Sequence, residues 1–231
     1  MTHPLDHPAW NSLIGKHAPL SQGNELARRY RPEVNVFAGV RDNSPESLAA
    51  LYDIVPAGEQ VYLFEKDVPH IPPGMIAVKE AQGVQLMPTR PFSGSIPDIG
   101  ELAEGEVRLS DDDSDEMVEL TALTQPGPFF SRTHHMGYFI GIRIDGRLAA
   151  MGGERFTAGG FTEVTAVCVH PDFRRLGLAR YLTAKVAAHI EARGDTPFIQ
   201  AWATNTPAIT LYETMGFKLR IMVNVLVIER E

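Results

Sequence analysis

The alternation of apolar and polar positions predicts a chain of mixed strands and helices. Segments with a period of about two residues, rich in β-branched and aromatic side chains, are expected as strands. They are residues 34–40, 61–66, 75–87, 106–110, 137–144, 147–156, 162–169, 197–203 and 219–230. Segments with apolar residues three and four positions apart, or with a capping residue at their start, are expected as helices. They are residues 24–30, 44–55, 110–123, 176–194 and 206–216.

Proline and glycine cluster at residues 88–105, which predicts a loop or linker there. We place a domain boundary near residue 98, with an N-terminal α+β region over 1–98 and a second domain over 99–231. No chemical motif stands out in the first region. In the second, Asp145-Gly146 between two apolar runs predicts a β-hairpin.

Composition and charge narrow the class of protein. The chain has 231 residues, 44% hydrophobic and 22% charged, so it can bury a core. Its net charge of −8 argues against a general nucleic-acid binder and weakly favours a cationic partner. The single cysteine, Cys168, excludes a disulfide framework, and we expect a cytoplasmic protein. The first ten residues lack the features of a secretory signal, and the longest apolar run, 221–228, is too short to span a membrane.

Residues 167–182 combine a strand, a turn and a helix start, and contain Arg174-x-x-Gly177-x-Ala179. Small residues let the backbone approach a ligand, and the free N–H groups of a helix start suit an anion such as pyrophosphate. Three arginines add positive charge there: Arg174, Arg175 and Arg180. The segment lacks the glycine spacing of a dinucleotide fingerprint and the Gly-Lys-Ser/Thr of a Walker loop. A plain turn with surface arginines remains the alternative.

A second segment, residues 205–217, follows a predicted strand and builds one helix. Ala208, Leu211 and Tyr212 lie on one face of that helix because they are three and four residues apart. The small Ala208 permits close approach, and Tyr212 brings a hydroxyl group to the same face. The alternative is an amphipathic core helix with a buried tyrosine.

Together, in this order, the two segments resemble the GNAT superfamily of acyl-CoA-dependent N-acyltransferases. RRLGLA matches the Q/R-x-x-G-x-G/A signature, and NTPAITLYETMGF matches the later one. Residues 132–156, followed by 162–182, are similar to the FR47 group, which is related to glycine N-acyltransferases. The resemblance implies an α+β GNAT fold: a mixed, mostly antiparallel sheet flanked by helices, with splayed central parallel strands. It also implies that residues 1–98 form a degenerate GNAT-like module.

The resemblance implies acetyl-CoA as the acyl donor and no metal. Its pantetheine arm is expected along the free edge of the strand at 162–169, and its pyrophosphate at the N–H groups that begin the next helix. The residues expected to contact the cofactor are Val167, Cys168, Val169, Arg174, Arg175, Leu176, Gly177, Leu178, Ala179, Arg180, Asn205, Ala208 and Leu211.

The implied reaction is direct transfer of the acetyl group to a primary amine in a ternary complex. Glu163 is the candidate base, with Glu154 in reserve; at neutral pH a lysine-like amine costs roughly 4.6 kcal/mol to deprotonate and an α-amine roughly 1. A backbone N–H of Val167 or Cys168 is expected to polarise the thioester carbonyl. Tyr212 is expected to donate a hydrogen bond to the departing thiolate.

Cys168 is an alternative nucleophile, but no base is recognisable beside it, so covalent catalysis is not expected. His134 and His135 are adjacent, and on a strand they would point to opposite faces, which argues against joint metal ligation. A loop or strand-entry role is expected for them instead. His170 precedes a proline and is expected to shape a turn.

The acidic run at 111–116 raises the question of a calcium loop. An EF-hand requires glycine at the sixth position and glutamate at the twelfth, where this chain has Glu116 and Ala122. A solvated helix start is the better interpretation.

The acceptor amine stays open between small molecules and peptides, because acceptor pockets are built from variable loops, here residues 124–138 and the C-terminal strand. No nucleic acid or membrane partner is expected, and the long helix and hairpin edges are compatible with a homodimer. The main alternative function is a non-catalytic acyl-CoA-binding sensor. A purely structural interaction domain is the third hypothesis.

Overall fold

A computed structural model describes residues 3–92 and 96–231 of the protein. Its α-helices are α1 (Pro8–Ile14), α2 (Pro45–Ile54), α3 (Ser114–Thr124), α4 (Leu178–Ala192) and α5 (Thr206–Thr214). Its strands are β1 (Ser21–Gly23), β2 (Ala27–Tyr30), β3 (Ala38–Val40), β4 (Gln60–Glu65), β5 (Met75–Pro88), β6 (Glu106–Arg108), β7 (Phe139–Ile144), β8 (Arg147–Ala158), β9 (Phe161–Val169), β10 (Thr196–Trp202) and β11 (Phe217–Arg230). The predictions of α2 to α5 are confirmed, and α1 has no counterpart among the predicted helices.

The main sheet has eight strands in the order β4-β11-β5-β10-β9-β8-β7-β6. Within it β9 and β10 run parallel, and the other neighbouring pairs run antiparallel. The expected α+β fold with a mixed, mostly antiparallel sheet is confirmed. A separate three-stranded sheet, β1-β2-β3, lies in the N-terminal part.

The parallel strands β9 and β10 pair along only half of their length. Their register runs from Phe161 opposite Thr196 to Val164 opposite Ile199. Beyond this point β9 continues to Val169 without pairing to β10. A bulge, with Ala166 at φ +51°, bends β9 where the pairing ends. The central strands therefore splay apart, as expected.

Helices cover the two faces of the sheet and hold the splayed strands in place. On one face α4 buries Leu182, Val186 and Ile190 completely against the sheet. On the other face α3 buries Met117 and Leu120 in a cluster that includes Cys168 on β9. Both helices pack on β8 and β9, and α4 also packs on β10, so the gap between β9 and β10 lies between the two helices.

The predicted helix over residues 24–30 is wrong, because Ala27–Tyr30 is strand β2. Asn24 Oδ1 accepts hydrogen bonds from the N–H groups of Leu26 and Ala27, which turns the chain tightly between β1 and β2. Ala27 and Tyr30 are then fully buried. Pairing with β1 and β3 outweighs the local helical preference of this segment.

Strands from both sides of residue 98 share the main sheet. β4 and β5 precede that position, and they pair with β11, while β5 also pairs with β10. The predicted linker at 88–105 contains a short 3₁₀ helix, Gly100–Gly105, and its residues 93–95 lie outside the described ranges. The origin of residues 1–98 as a degenerate module stays a prediction.

The segment between α3 and β7 leads into a strand, which is the position expected for the two histidines. His134 and His135 lie on a 3₁₀ helix, Thr133–Met136, and not on a strand, so the argument that they point to opposite faces is wrong. The acidic run forms a 3₁₀ turn, Asp111–Asp113, that leads into α3, which confirms the predicted helix start. None of the helices in the ranges 3–92 and 96–231 combines the length and apolar character that a membrane span requires.

Candidate active site

The turn between β9 and α4 gathers backbone N–H groups. Pro171–Phe173 makes one 3₁₀ turn, and His170 Nδ1 accepts a hydrogen bond from the Asp172 N–H at 3.2 Å, so the predicted role of His170 in shaping the turn is confirmed. Arg175 (φ +68°) and Gly177 (φ +79°) then adopt the left-handed region. Backbone turns of this kind point successive N–H groups toward one anion.

Helix α4 begins at this turn and leaves its first N–H groups free for a ligand. The N–H of Tyr181 donates to the Gly177 carbonyl at 3.0 Å, which is the first helical hydrogen bond. The N–H groups of Leu178, Ala179 and Arg180 therefore have no acceptor within the helix. Together with the positive end of the helix dipole, they suit a phosphate group.

A groove of about 440 Å³ opens beside the α4 start, and we call it the donor groove because the acyl donor is expected there. The side chains of Arg174 and Arg175 are exposed at its rim. Arg180 Nη2 donates to Thr214 Oγ1 at 2.6 Å, which ties α4 to α5 next to the groove. The lining residues are Thr124, Gln125, Pro126, Val167, Cys168, Val169, Phe173, Arg174, Arg175, Gly177, Leu178, Ala179, Arg180, Asn205 and Leu211.

The donor groove continues into an inner cavity of about 100 Å³ between the splayed strands. Asn205 lines both spaces and caps α5, where its Oδ1 accepts from the Ala208 N–H at 3.3 Å. The cavity wall consists of Phe37, Phe64, Pro126, Gly127, Pro128, Phe129, Arg155, Val164, Thr165, Ala166, Val167, Gln200, Ala201, Trp202, Asn205, Ala208 and Tyr212. Among these described residues there is no aspartate, glutamate or histidine.

Tyr212 projects from α5 to the wall of the inner cavity. Its ring also packs edge-on against Phe217, which fixes its position. Burial raises the pKa of the Tyr212 phenol to about 12, with smaller contributions from Glu163 and Cys168. The hydroxyl group is therefore protonated at any physiological pH and can donate a hydrogen bond.

Glu163 is fully buried in an ion pair with Arg155. Arg155 Nε and Nη2 donate to the two carboxylate oxygens at 2.8 and 2.7 Å, and Gln200 Nε2 adds a contact at 3.3 Å. Arg155 and Gln200 line the inner cavity, whereas Glu163 lies behind them. Both oxygens of Glu163 are thus engaged, and this geometry does not favour its predicted role as the base.

The reserve candidate, Glu154, is also fully buried and paired. Its Oε1 accepts from Arg193 Nη1 at 2.7 Å, and its Oε2 accepts from the Tyr138 N–H at 3.2 Å. It lines neither the inner cavity nor the donor groove. Glu154 therefore ties β8 to the end of α4 and to the start of β7.

Cys168 lines the donor groove from a buried position on β9. Burial raises the pKa of its thiol to about 11, well above the usual range. A thiol at neutral pH is a poor nucleophile. The structure therefore supports the expectation that Cys168 does not form an acyl intermediate.

The inner cavity also adjoins an outer cavity of about 570 Å³. The two share Gly127, Pro128, Phe129 and Trp202. The described residues that line the outer cavity carry no charged side chain: Val36, Tyr62, Val118, Thr121, Ala122, Gln125, Gly127, Pro128, Phe129, Phe130 and Trp202. The donor groove shares Pro126 and Asn205 with the inner cavity and Gln125 with the outer cavity, so the three spaces are contiguous.

The structure brings together almost all of the predicted cofactor residues. Only Leu176 lies outside the groove and the cavity, with a side chain that is 44% exposed. The prediction missed Arg155, Phe37, Phe64 and Trp202. The phenylalanines carry no local signal of function, because long-range folding alone brings them to the cavity.

Comparison with known proteins agrees with this geometry. A family model described as FR47-like protein matches residues 139–227. A crystal structure of a GNAT-family protein from Novosphingobium aromaticivorans is 36% identical, with 100% of both chains covered and a TM-score of 0.88. The chain belongs to the GNAT family of N-acetyltransferases. The predicted resemblance to this family and to its FR47-like group is confirmed.

This GNAT protein is also similar to two other proteins. The [ribosomal protein bS18]-alanine N-acetyltransferase of Salmonella typhimurium is 42% identical over 52 residues, which are 22% of this chain and 35% of that relative. A GCN5-related N-acetyltransferase from Kribbella flavida is 15% identical with a TM-score of 0.62, over 96% of this chain and 93% of that one. The second likeness concerns the fold alone.

Proposed function

We propose that this GNAT protein transfers an acetyl group from acetyl-CoA to a primary amine, in one step within a ternary complex. The observation that carries the proposal is the inner cavity at the splayed end of β9 and β10, which adjoins both the donor groove and the uncharged outer cavity. A donor bound in the groove and an acceptor bound in the outer cavity would meet in the inner cavity. The proposal includes the cytoplasmic location that the sequence predicts.

Acetyl-CoA would bind with its pyrophosphate at the α4 start. The N–H groups from Arg175 to Ala179 at the left-handed turn and the positive charges of Arg174 and Arg180 support this placement. The pantetheine arm would follow the unpaired part of β9 at Val167–Val169, with Asn205, Ala208 and Leu211 on its other side. The thioester would then reach the inner cavity.

The chemical step forms one C–N bond and breaks the C–S bond of the thioester. The neutral amine attacks the carbonyl carbon, a backbone N–H of β9 at Val167 or Cys168 stabilises the developing oxyanion, and the amine loses one proton to water. Tyr212 donates a hydrogen bond to the departing thiolate. Cys168 stays a thiol throughout.

The acceptor we propose is an α-amine on an uncharged group, such as a peptide N-terminus. No carboxylate or imidazole lines the described wall of the inner cavity, so no side chain there can remove the proton from a lysine-like amine. An α-amine (pKa about 7.7–8) is partly neutral near pH 7.5, whereas a lysine amine (about 10.4) is not. The uncharged outer cavity also disfavours polyamines. The named activity of the Salmonella relative on alanine fits this class.

The test is an acceptor panel with thiol release as the readout. We expect an alanine-starting peptide amide to exceed Nα-acetyl-lysine by roughly 200-fold in kcat/KM near pH 7.5, because the neutral fractions differ by that ratio. The lysine rate should rise tenfold per pH unit below its pKa. Equal rates for both amines would contradict the acceptor assignment and restore a dedicated base.

Calorimetry with acetyl-CoA tests binding of the donor separately from transfer of the acetyl group. Binding with no acceptor-dependent thiol release for any amine would favour the acyl-CoA sensor. Absence of binding would overturn the enzyme and sensor hypotheses together. Gly177→Ala tests where the coenzyme binds. The substitution should weaken acetyl-CoA binding if the pyrophosphate lies at the α4 start, and it should leave binding unchanged if the coenzyme lies elsewhere.

A further inference from the structure

A carboxylate and two imidazoles meet at the surface between α3 and β7. Asp111 begins the 3₁₀ turn before α3, and His134 and His135 lie on the 3₁₀ helix before β7. The Nε2 atoms of both histidines contact Asp111 Oδ1, at 2.7 and 2.6 Å. The three atoms lie within 4.8 Å of one another, and no other group of three metal-ligating side chains is this close within the described residues.

The 3₁₀ conformation is what allows neighbouring histidines to share one partner. In a strand their side chains would diverge to opposite faces, but a 3₁₀ helix turns by about 120° per residue. The rings of His134 and His135 are perpendicular, with centroids 4.6 Å apart. Both Nε2 atoms can therefore face the same point, at which Asp111 places its oxygen.

The cluster is held on one side and open on the other. His134 is buried, with 7% of its surface exposed, so the fold fixes its ring. The side chains of His135 and Asp111 are 33% and 76% exposed. A cation can thus reach the ligand atoms from solvent, and water can complete its coordination shell.

We propose that Asp111, His134 and His135 bind a zinc ion through Oδ1 and the two Nε2 atoms. Two imidazoles and a carboxylate form a donor set that zinc prefers, with water as a fourth ligand. Zinc bonds of about 2.0–2.2 Å place tetrahedral ligand atoms roughly 3.4 Å apart. The present contacts need to open by less than about 1 Å to admit the ion.

One feature of the cluster limits its affinity. Zinc at Nε2 places the ring proton on Nδ1, and the buried Nδ1 of His134 has no hydrogen-bond partner among the described residues. A partner at that position typically contributes 10- to 100-fold in metal affinity. We therefore expect binding ~10–100-fold weaker than at a site whose histidines are both supported.

The position of the cluster connects zinc to the active site. Asp111 and His134 bracket the segment that contains α3 and residues 124–130, and this segment lines the donor groove, the inner cavity and the outer cavity. Ser114 Oγ already donates to the Ser131 carbonyl at 2.6 Å, so the two ends are close. A bound ion would clamp the ends together and order the loop that surrounds the reacting groups.

The test is zinc titration of the full chain without a histidine tag, after chelator treatment, near neutral pH. Calorimetry should show one bound equivalent, and Co²⁺ in place of zinc should give the visible absorption of a tetrahedral or five-coordinate site. Asp111→Asn and His135→Gln each remove an exposed ligand and should weaken binding at least tenfold. The matched control is His70→Gln, because His70 is exposed and belongs to no ligand cluster in the described residues.

Each outcome decides the proposal. Binding that Asp111→Asn and His135→Gln weaken and His70→Gln leaves unchanged supports it, and zinc should then raise the melting temperature of the wild-type chain but not of the two ligand variants. Absence of zinc and cobalt binding would overturn it and leave a hydrogen-bonded cluster. Binding that neither ligand substitution changes would also overturn it, because the ion would lie elsewhere.

Discussion

Replacement of Tyr212 by phenylalanine tests the part of the mechanism that depends most on the structure. The pKa of the Tyr212 phenol is raised to about 12, chiefly by burial. A thiol has a pKa near 8.5, so full transfer of the phenol proton to the thiolate runs uphill by about 3.5 pKa units, or roughly 5 kcal/mol. In the proposed mechanism the hydroxyl group would therefore act as a hydrogen-bond donor that keeps its proton.

The size of the expected effect follows from this role. A hydrogen bond to a charged acceptor contributes about 1.5–3 kcal/mol, which corresponds to a decrease in kcat of about 10- to 150-fold. The ring of Tyr212 packs against Phe217 and has the same shape in phenylalanine. Folding and the affinity for acetyl-CoA should therefore change little.

The assay measures initial rates of thiol release at saturating acetyl-CoA, and calorimetry gives the affinity for the donor. The wild-type rate should show no Tyr212 titration below about pH 11, because the phenol stays protonated there. Unchanged kcat together with unchanged affinity in Tyr212→Phe would remove this residue from the mechanism. A loss confined to affinity would make it a binding residue instead.

Three further predictions concern stability and the donor groove. Glu163→Gln leaves the buried charge of Arg155 without its partner, and thermal or denaturant unfolding should show a loss of about 3–5 kcal/mol. Gly177→Ala forces a side chain into the left-handed region, which should lower the free energy of unfolding by about 1–2 kcal/mol, and it should weaken acetyl-CoA binding in calorimetry. The control is Gly146→Ala, at the same φ of +79° in open space, which should lower stability by a similar amount and leave acetyl-CoA binding intact. Burial lowers the pKa of His17 to about 4. The unfolded chain protonates His17 below about pH 6.5, whereas the folded chain does so only below about pH 4. The free energy of unfolding should therefore fall by up to about 3 kcal/mol between pH 6.5 and pH 4. The His17→Gln variant should lack this part of the pH dependence.

The groove proposed for the donor could be predicted because its sequence signals are local. The turn before α4 requires a left-handed residue at Gly177, and the free N–H groups follow from the helix start a few residues away. Tyr212 lies on the short helix α5, and Asn205 caps the start of that helix. Such features depend on residues that are close in sequence, so they can be recognised without knowledge of the tertiary structure.

The charged residues could not be predicted in the same way. Glu163 begins the central strand, and its sequence neighbours do not reveal that Arg155 lies opposite it. The register between β8 and β9 shifts between Glu154 and Thr157, which aligns the arginine with the carboxylate. A one-residue change in such a register moves a side chain to the other face. The same limit explains the histidine cluster, because nothing in the local sequence reveals that a 3₁₀ helix brings both rings to Asp111.

The proposed acceptor side depends on both parts of the chain that the sequence divides at residue 98. Phe37 and Phe64 precede that position, yet they line the inner cavity together with Arg155 and Trp202. The side chain of Arg155 stacks over the Phe37 ring at 4.8 Å, which joins the N-terminal part to the buried ion pair. Because β4 and β5 also complete the sheet beside β10, removal of the N-terminal part would expose the cavity and leave β10 without one of its partners. Whatever the origin of residues 1–98, acceptor selectivity should therefore change with substitutions at Phe37 and Phe64, while donor affinity, set at α4, should not.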